Sequence, residues 1–362
     1  MDLITLLETV GEAETAALLG LLTGIVFGIA AQRSRFCLRA ATVEFARRSM
    51  GASVSVWLLT FSTAVVWVQA AVLFDLVRPV DARMMAVTGS WSGAIIGGLM
   101  FGAGMVLARG CSGRLLVLAA TGNLRAIVSG LIFAVVAQMS LKGFLSPARD
   151  SLAGLWTTSG GTNVNLLEAV ALPEWAGLAF GLVTAVIALS VTRRNRIGAA
   201  RLVFASGVGF AVALGWVLTS ALAQVAFEPV TVTSATFTGP SANTLMYFLE
   251  RNPVLEFDVG LVPGVVIGAF IASLFARDFK FQGFDGAPNM RRSMIGAALM
   301  GFGGMLAGGC AVGAGLTGGS LFVGTAMVAL LFMWIGAMVA DYLVDQQGII
   351  CRPSSQMASA AR

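Results

Sequence analysis

The 362-residue chain is 57% hydrophobic and only 11% charged, against roughly 25% charged residues in soluble domains, so it reads as a polytopic membrane protein. Its net charge of +5 sets orientation in such a chain and is no argument for nucleic acid. Four cysteines without a C-x-x-C pair, and no histidine at all, speak against zinc, haem and thioredoxin-like redox sites, so no metal or cofactor is expected.

A helical crossing needs about 20 apolar residues, and on that ruler the spans fall near 16–32, 52–74, 92–110, 126–141, 174–192, 202–222, 260–276, 293–308 and 320–343. The chain starts acidic, with Asp2, Glu8, Glu12 and Glu14, and shows no small-residue cleavage site. Its first apolar run, Ala16 to Ala31, is therefore read as a retained span. Basic residues follow in three clusters: Arg33, Arg35, Arg39, Arg47 and Arg48; Arg193, Arg194, Arg196 and Arg201; and Arg277, Lys280, Arg291 and Arg292. Nine crossings put all three on one side, with the amino end outside and the carboxyl end in the cytoplasm. The long polar connections, Gly143 to Pro173 and Glu228 to Gly260, then lie outside. Within the second, Ala235 to Leu249 is too short to cross yet apolar enough to dip back, a candidate re-entrant hairpin.

The third span carries the chemistry. Six glycines precede Cys111, and the apolar run breaks at Arg109-Gly110-Cys111-Ser112-Gly113-Arg114. The stretch from Ser293 to Gly319 repeats the approach and again stops on Gly-Cys. With the cysteines aligned (310 − 111 = 199), Gly97, Gly102, Gly104, Leu107, Ala108 and Gly110 meet Gly296, Gly301, Gly303, Leu306, Ala307 and Gly309. On the nine-span topology the first copy enters from outside and the second from the cytoplasm. The expected architecture is an all-α membrane bundle of two inverted repeats, about 16–141 and 202–343, joined by a connector helix at about 174–192, in one integral membrane domain. Inverted repeats place substrate sites at central breaks in discontinuous helices.

Such breaks survive at membrane depth only where protein or trapped water satisfies the backbone. Helices restarting at about Gly113 and Gly313 offer N–H donors and partial positive charge, which favour an anion. Arg109 and Arg114 add formal charge beside Cys111, and an intramembrane charge is a functional hypothesis by default. A thiol adds little for a hard oxyanion but is a polarizable partner for sulfur or selenium, so the pattern suggests an anion with a soft end, such as thiosulfate. Cys37 follows the same logic between Arg33, Arg35 and Arg39, whereas Cys351 lies in the tail. The candidate pathway is Cys37, Cys111, Cys310, Arg109, Arg114, Gly110 and Gly309, with no catalytic residue. Glycine beside cysteine also serves plain helix packing, and free cysteine also behaves as a small buried hydrophobe.

The two Gly-Cys breaks, Arg35-Phe36-Cys37 and Phe237-Thr238-Gly239-Pro240 together make the chain resemble the YeeE/YedE family of sulfur transporters over nearly its whole length. The resemblance implies a bacterial inner-membrane permease with an hourglass interior, three pathway cysteines carried by Cys37, Cys111 and Cys310, and in some relatives a small cytoplasmic sulfur carrier of the TusA type. One departure is that the position facing Cys37 (37 + 199 = 236) is Thr236. Thiosulfate, another sulfur or selenium species, Cu(I), and membrane thiol chemistry of the sulfurtransferase kind stay open at this point. The arginines beside the thiols speak against a cation, and lone cysteines without a histidine base speak against an enzyme. There is no G-x-x-x-x-G-K-[ST] motif for nucleotide hydrolysis.

Overall fold

The computed structural model describes residues 7, 9–251, 253–284 and 286–346; Cys351 lies outside them. Among the described residues the fold is all helix, with isolated bridges and no sheet. Apart from short turns, the first copy holds α1 (Glu12–Ser34), α2 (Leu38–Ala46), α3 (Ala52–Leu73), α4 (Trp91–Leu107), α5 (Ser112–Ala120) and α6 (Leu124–Leu141). After α7 (Trp175–Arg194) come α8 (Ala199–Val225), α9 (Thr238–Tyr247), α10 (Phe257–Phe275), α11 (Ala287–Leu306) and α12 (Gly324–Ala340). Eight stretches are long and apolar enough to cross a membrane. The remaining expected span, α11, carries Arg291 and Arg292 near its start and lies along α4 over most of its 20 residues.

Glycine decides how these helices meet. Gly24 on α1 and Gly264 on α10 face each other so closely that a methyl on Gly24 would stand 2.9 Å from Gly264 Cα, and the contacts advance together along both chains, so the two helices run parallel. Between α4 and α11 they run in opposite senses: Gly97 meets Gly303, and Gly104 meets Gly296. That contact is reciprocal under the 199-residue offset, since Gly97 corresponds to Gly296 and Gly104 to Gly303. Reciprocity of this kind is what a two-fold axis produces at an interface, and here it lies within one chain.

The rest of the packing obeys the same exchange. Helix α1 lies on α10 as α8 lies on α3; α4 lies on α12 as α11 lies on α6; α2 leans on α3 as α9 leans on α10. Corresponding elements α4 and α11 are antiparallel, so the arrangement is inverted. Helix α7 stands apart, packed mainly on α3 and largely exposed on its other side.

Two expectations need correcting in detail. The stretch Ala235 to Leu249 forms no hairpin: it is extended to Thr236 and then a single buried helix, α9, in which Pro240 occupies the first turn, where its missing N–H costs nothing. The helix restarts also come slightly earlier than Gly113 and Gly313, at Ser112 and Ala311.

The basic clusters converge on one face. Arg201 Nε donates to Ser34 O at 3.0 Å, Asn195 Nδ2 to Gly51 O at 3.1 Å, and Arg39 and Arg292 both pair with Asp345, at 3.3 and 2.7 Å. On the same face Arg47 pairs with Asp341 at 2.9 Å, a hydrogen-bonded partner that raises the Arg47 guanidinium above its ordinary pKa. The opposite face carries Arg83 among the acidic residues Glu12, Glu228 and Glu256.

Candidate functional site

Both breaks are built from the same turn. Helix α4 ends where Gly110 N donates to Met105 O at 3.0 Å and Arg109 N to Val106 O at 3.2 Å; α11 ends where Gly309 N donates to Gly304 O at 2.9 Å and Gly308 N to Met305 O at 3.3 Å. This closes the last carbonyls of each helix through a residue in the left-handed region. Gly308 takes that conformation freely at φ 75°, whereas Arg109 takes it at φ 57° with a side chain, a strain of about 1–2 kcal/mol. The turn reverses the chain and delivers the cysteine to the start of the next helix.

There each thiol stands at a helix start. Cys111 precedes α5, and its Sγ lies near the backbone N–H groups of Arg114 and Leu38 without closing a capping hydrogen bond. Cys310 precedes the segment Ala311 to Ser320, and its Sγ accepts from Gly313 N at 3.4 Å and Phe237 N at 3.2 Å. Leu38 and Phe237 are themselves 199 residues apart, so each sulfur lies near one amide of its own first turn and one of the short helix crossing it, and at Cys310 both close as hydrogen bonds. The third contact breaks the symmetry. Cys111 Sγ has the Cys37 thiol as its neighbour, while Cys310 Sγ has Thr236 Oγ1 at 3.8 Å. Cys37 in turn precedes α2 and lies against Ala40 N and Cys111 N.

All three thiols are free and buried. The breaks approach one another at Gly113, where a methyl would lie 3.1 Å from the Phe237 ring and 3.7 Å from Val312 Cγ2. Phe237 is fully buried and stacks edge-on against Phe27 at 5.0 Å, so it wedges the space between the two copies. On the side of Cys310, a cavity of about 140 Å³ is lined by Arg83, Thr233, Thr236, Thr238, Gly309 and Thr317. Thr238 Oγ1 and, beside Cys111, Ser112 Oγ are buried hydroxyls without a partner in the protein.

The candidate residues thus divide. Cys37, Cys111 and Arg114 come together: Arg114 exerts its charge on Cys37 and on Arg201, and its Nη1 is buried without a partner. Cys310 and Gly309 sit at the second break, across Phe237 and Val312 from the first. Arg109 is not brought in; it is exposed and donates to Asn289 Oδ1 at 3.3 Å. Gly110 serves the turn. Residues left out of the candidate pathway are Thr236, Phe237, Thr238, Arg83 and Asp258, although Phe237 and Thr238 belong to the motif that carried the resemblance. The 199-residue offset pointed at Thr236 as a mismatch and so held its signal; a single arginine in a connecting loop, Arg83, gave none.

Chemically, each break offers an anion two helix amino ends, buried hydroxyls and nearby guanidinium charge, and offers a soft atom a polarizable sulfur. The family model described as Sulphur transport matches residues 33–339. The thiosulfate transporter TsuA of Escherichia coli is 27% identical over 350 residues, covering 90% of this chain and 94% of its own length. The thiosulfate transporter TsuA of Spirochaeta thermophila is 27% identical over 342 residues, covering 88% and 96%.

Proposed function

The chain belongs to the sulphur transport family, and from that premise we propose that it imports thiosulfate, passing the anion between thiols at the two helix breaks. It is a multi-pass membrane protein and a sulfur-anion transporter. The observation that carries the finer reading is the matched placement of Cys111 and Cys310, each sulfur at a helix start, near two backbone N–H groups and beside a second polar group. A thiosulfate ion can set its terminal sulfur against such a thiol while its oxygens take the hydroxyl and amide donors.

In this reading the outer side is the Arg83 face, from which the anion reaches Cys310 and Thr236, then Cys111 and Cys37, then the arginine-rich face in the cytoplasm. Phe237 is the side chain that has to move, because it fills the space between the two pairs. The membrane is the bacterial inner membrane, with the amino end outside, and a TusA-like carrier, if one takes the product, docks on the arginine-rich face. The energy source is not a nucleotide bound by this chain.

The test is uptake of labelled thiosulfate into cells lacking other importers. Cells carrying this chain accumulate the label and Cys111→Ala abolishes accumulation; parental uptake by Cys111→Ala removes the thiol from the mechanism. A second reading, membrane thiol chemistry of the sulfurtransferase kind, is favoured by the adjacency of Cys37 and Cys111, and a persulfide trapped on either during turnover selects it. Copper is disfavoured by Arg114 beside the thiol pair, because a cation path needs acidic neighbours there.

A further inference from the structure

Asp258 stands in the first turn of α10 and is only 4% exposed. Its Oδ2 accepts from Asn243 Nδ2 on α9 at 3.0 Å, while its Oδ1 is buried with no partner in the protein. Burying an ionised carboxylate with one oxygen unsatisfied is expensive unless a cation lies near. Arg83 is that cation, and it stands on the side of Oδ2. Asp258 lines a cavity of about 190 Å³ with Arg83, Thr233 and Glu256. The Arg83 guanidinium and the Asp258 carboxylate flank Gly239, each 3.9 Å from the point where a β-carbon would stand. They do not close into an ion pair among the described residues.

Arg83 also lines the smaller cavity that reaches Thr236 and Gly309, so it stands where the outer water-filled space meets the approach to Cys310. An anion arriving there and the Asp258 carboxylate address the same guanidinium.

We propose that Asp258 sets the affinity of the outer mouth for its anion by competing with it for Arg83, so that neutralising this one carboxylate strengthens capture of a dianion. The groups facing Asp258 are few. Arg83 from the loop before α4 is the cation, Glu256 just ahead of α10 is the neighbouring acid, Asn243 on α9 is a neutral donor, and Glu12 of α1 and Glu228 line the far wall of the cavity. The carboxylate holds Arg83 and repels a dianion. With a carboxamide in its place the repulsion is gone and Arg83 is left to the anion.

The experiment is the KM for labelled thiosulfate in cells lacking other importers, compared between the parent and single variants. Asp258→Asn should lower KM about tenfold, the low end of what one unit charge exerts on a dianion across a water-filled gap of this size. Asp258→Glu should keep the parental KM, and Glu256→Gln should lower it by less than Asp258→Asn does. If Asp258→Asn does not accumulate in the membrane, Arg83→Gln decides: its KM should be well above the parental value. The assignment is overturned by Asp258→Asn leaving KM unchanged or raising it, or by a parental KM in Arg83→Gln. It rests on the import reading, and the two fail differently: cells that accumulate no thiosulfate refute both, whereas accumulation with a KM unmoved by Asp258→Asn refutes the Asp258 assignment alone.

Discussion

Cys310 offers a way to separate the fold of the break from its chemistry. Its sulfur receives Phe237 N at 3.2 Å and Gly313 N at 3.4 Å, both in a fully buried setting. Cys310→Ala removes the acceptor and leaves two buried N–H groups unpaired. An unsatisfied buried donor costs about 1–3 kcal/mol, and sulfur is a weak acceptor, so the low end applies to each and the pair amounts to about 2 kcal/mol. Cys310→Ser keeps an acceptor in place and should return most of that. The soft, polarizable atom is gone in both variants. Thermal unfolding of the detergent-solubilised protein should therefore order the variants parent, then serine, then alanine, while thiosulfate uptake falls to background in both. A serine variant that unfolds like the parent and transports like the parent would show that any hydrogen-bonding cap suffices at this break, and the soft-atom argument would be wrong.

The internal two-fold makes its own demand: a methyl on Gly97 would stand 2.5 Å from Gly303 O and Ala307 N, and one on Gly296 would stand 2.6 Å from Gly104 O and 2.5 Å from Ala108 N. Gly97→Ala and Gly296→Ala should lower the unfolding temperature alike, each by the equivalent of about 1–3 kcal/mol of overpacking, and a tolerant site opposite an intolerant one would contradict the reciprocal packing. Thr236 occupies the position of Cys37 in the second copy, so Thr236→Cys should retain uptake of labelled thiosulfate, whereas Thr236→Val should reduce it several-fold; equal uptake by the valine variant removes the hydroxyl from the pathway. Arg125, buried on α6, donates to Ala108 O at 2.6 Å and so ties down the last turn of α4. Arg125→Met should cost about 1.5–3 kcal/mol, the range for a hydrogen bond from a charged donor, read as a lower unfolding temperature. Because Cys37 and Cys111 are neighbours, one equivalent of mercuric ion should occupy both thiols and block uptake. In Cys37→Ser the same equivalent should dissociate readily on dilution, since one soft ligand is gone.

Hydropathy and glycine placement are local properties, and they carried the outline of this protein in one dimension. Each of the nine expected spans falls on an observed helix, because a segment that enters lipid has to satisfy its backbone internally whatever its neighbours do. The Gly-Cys breaks were legible for the same reason: Arg109 and Gly308 end their helices through the residues immediately around them. The matched glycines of α4 and α11 announced a copied segment.

Other features were settled only when distant segments met. Arg109 and Arg114 looked equivalent beside Cys111, yet the reversing turn between them leaves Arg109 on the surface and carries Arg114 inward. Thr236 sits in an extended stretch whose place depends on α8, α10 and the Cys310 break at once, so its role as partner of Cys310 could not be read from its own neighbourhood. The offset itself shifts. Cys111 and Cys310 are 199 residues apart, but Asn123 and Val323, which end the matching turns, are 200 apart, because Gly313–Gly318 forms a π-helical turn holding one residue more than the α-turn of α5. A single added residue leaves almost no trace in composition or periodicity, whereas in space it decides which side chains of the second copy face Thr236 and which face α12.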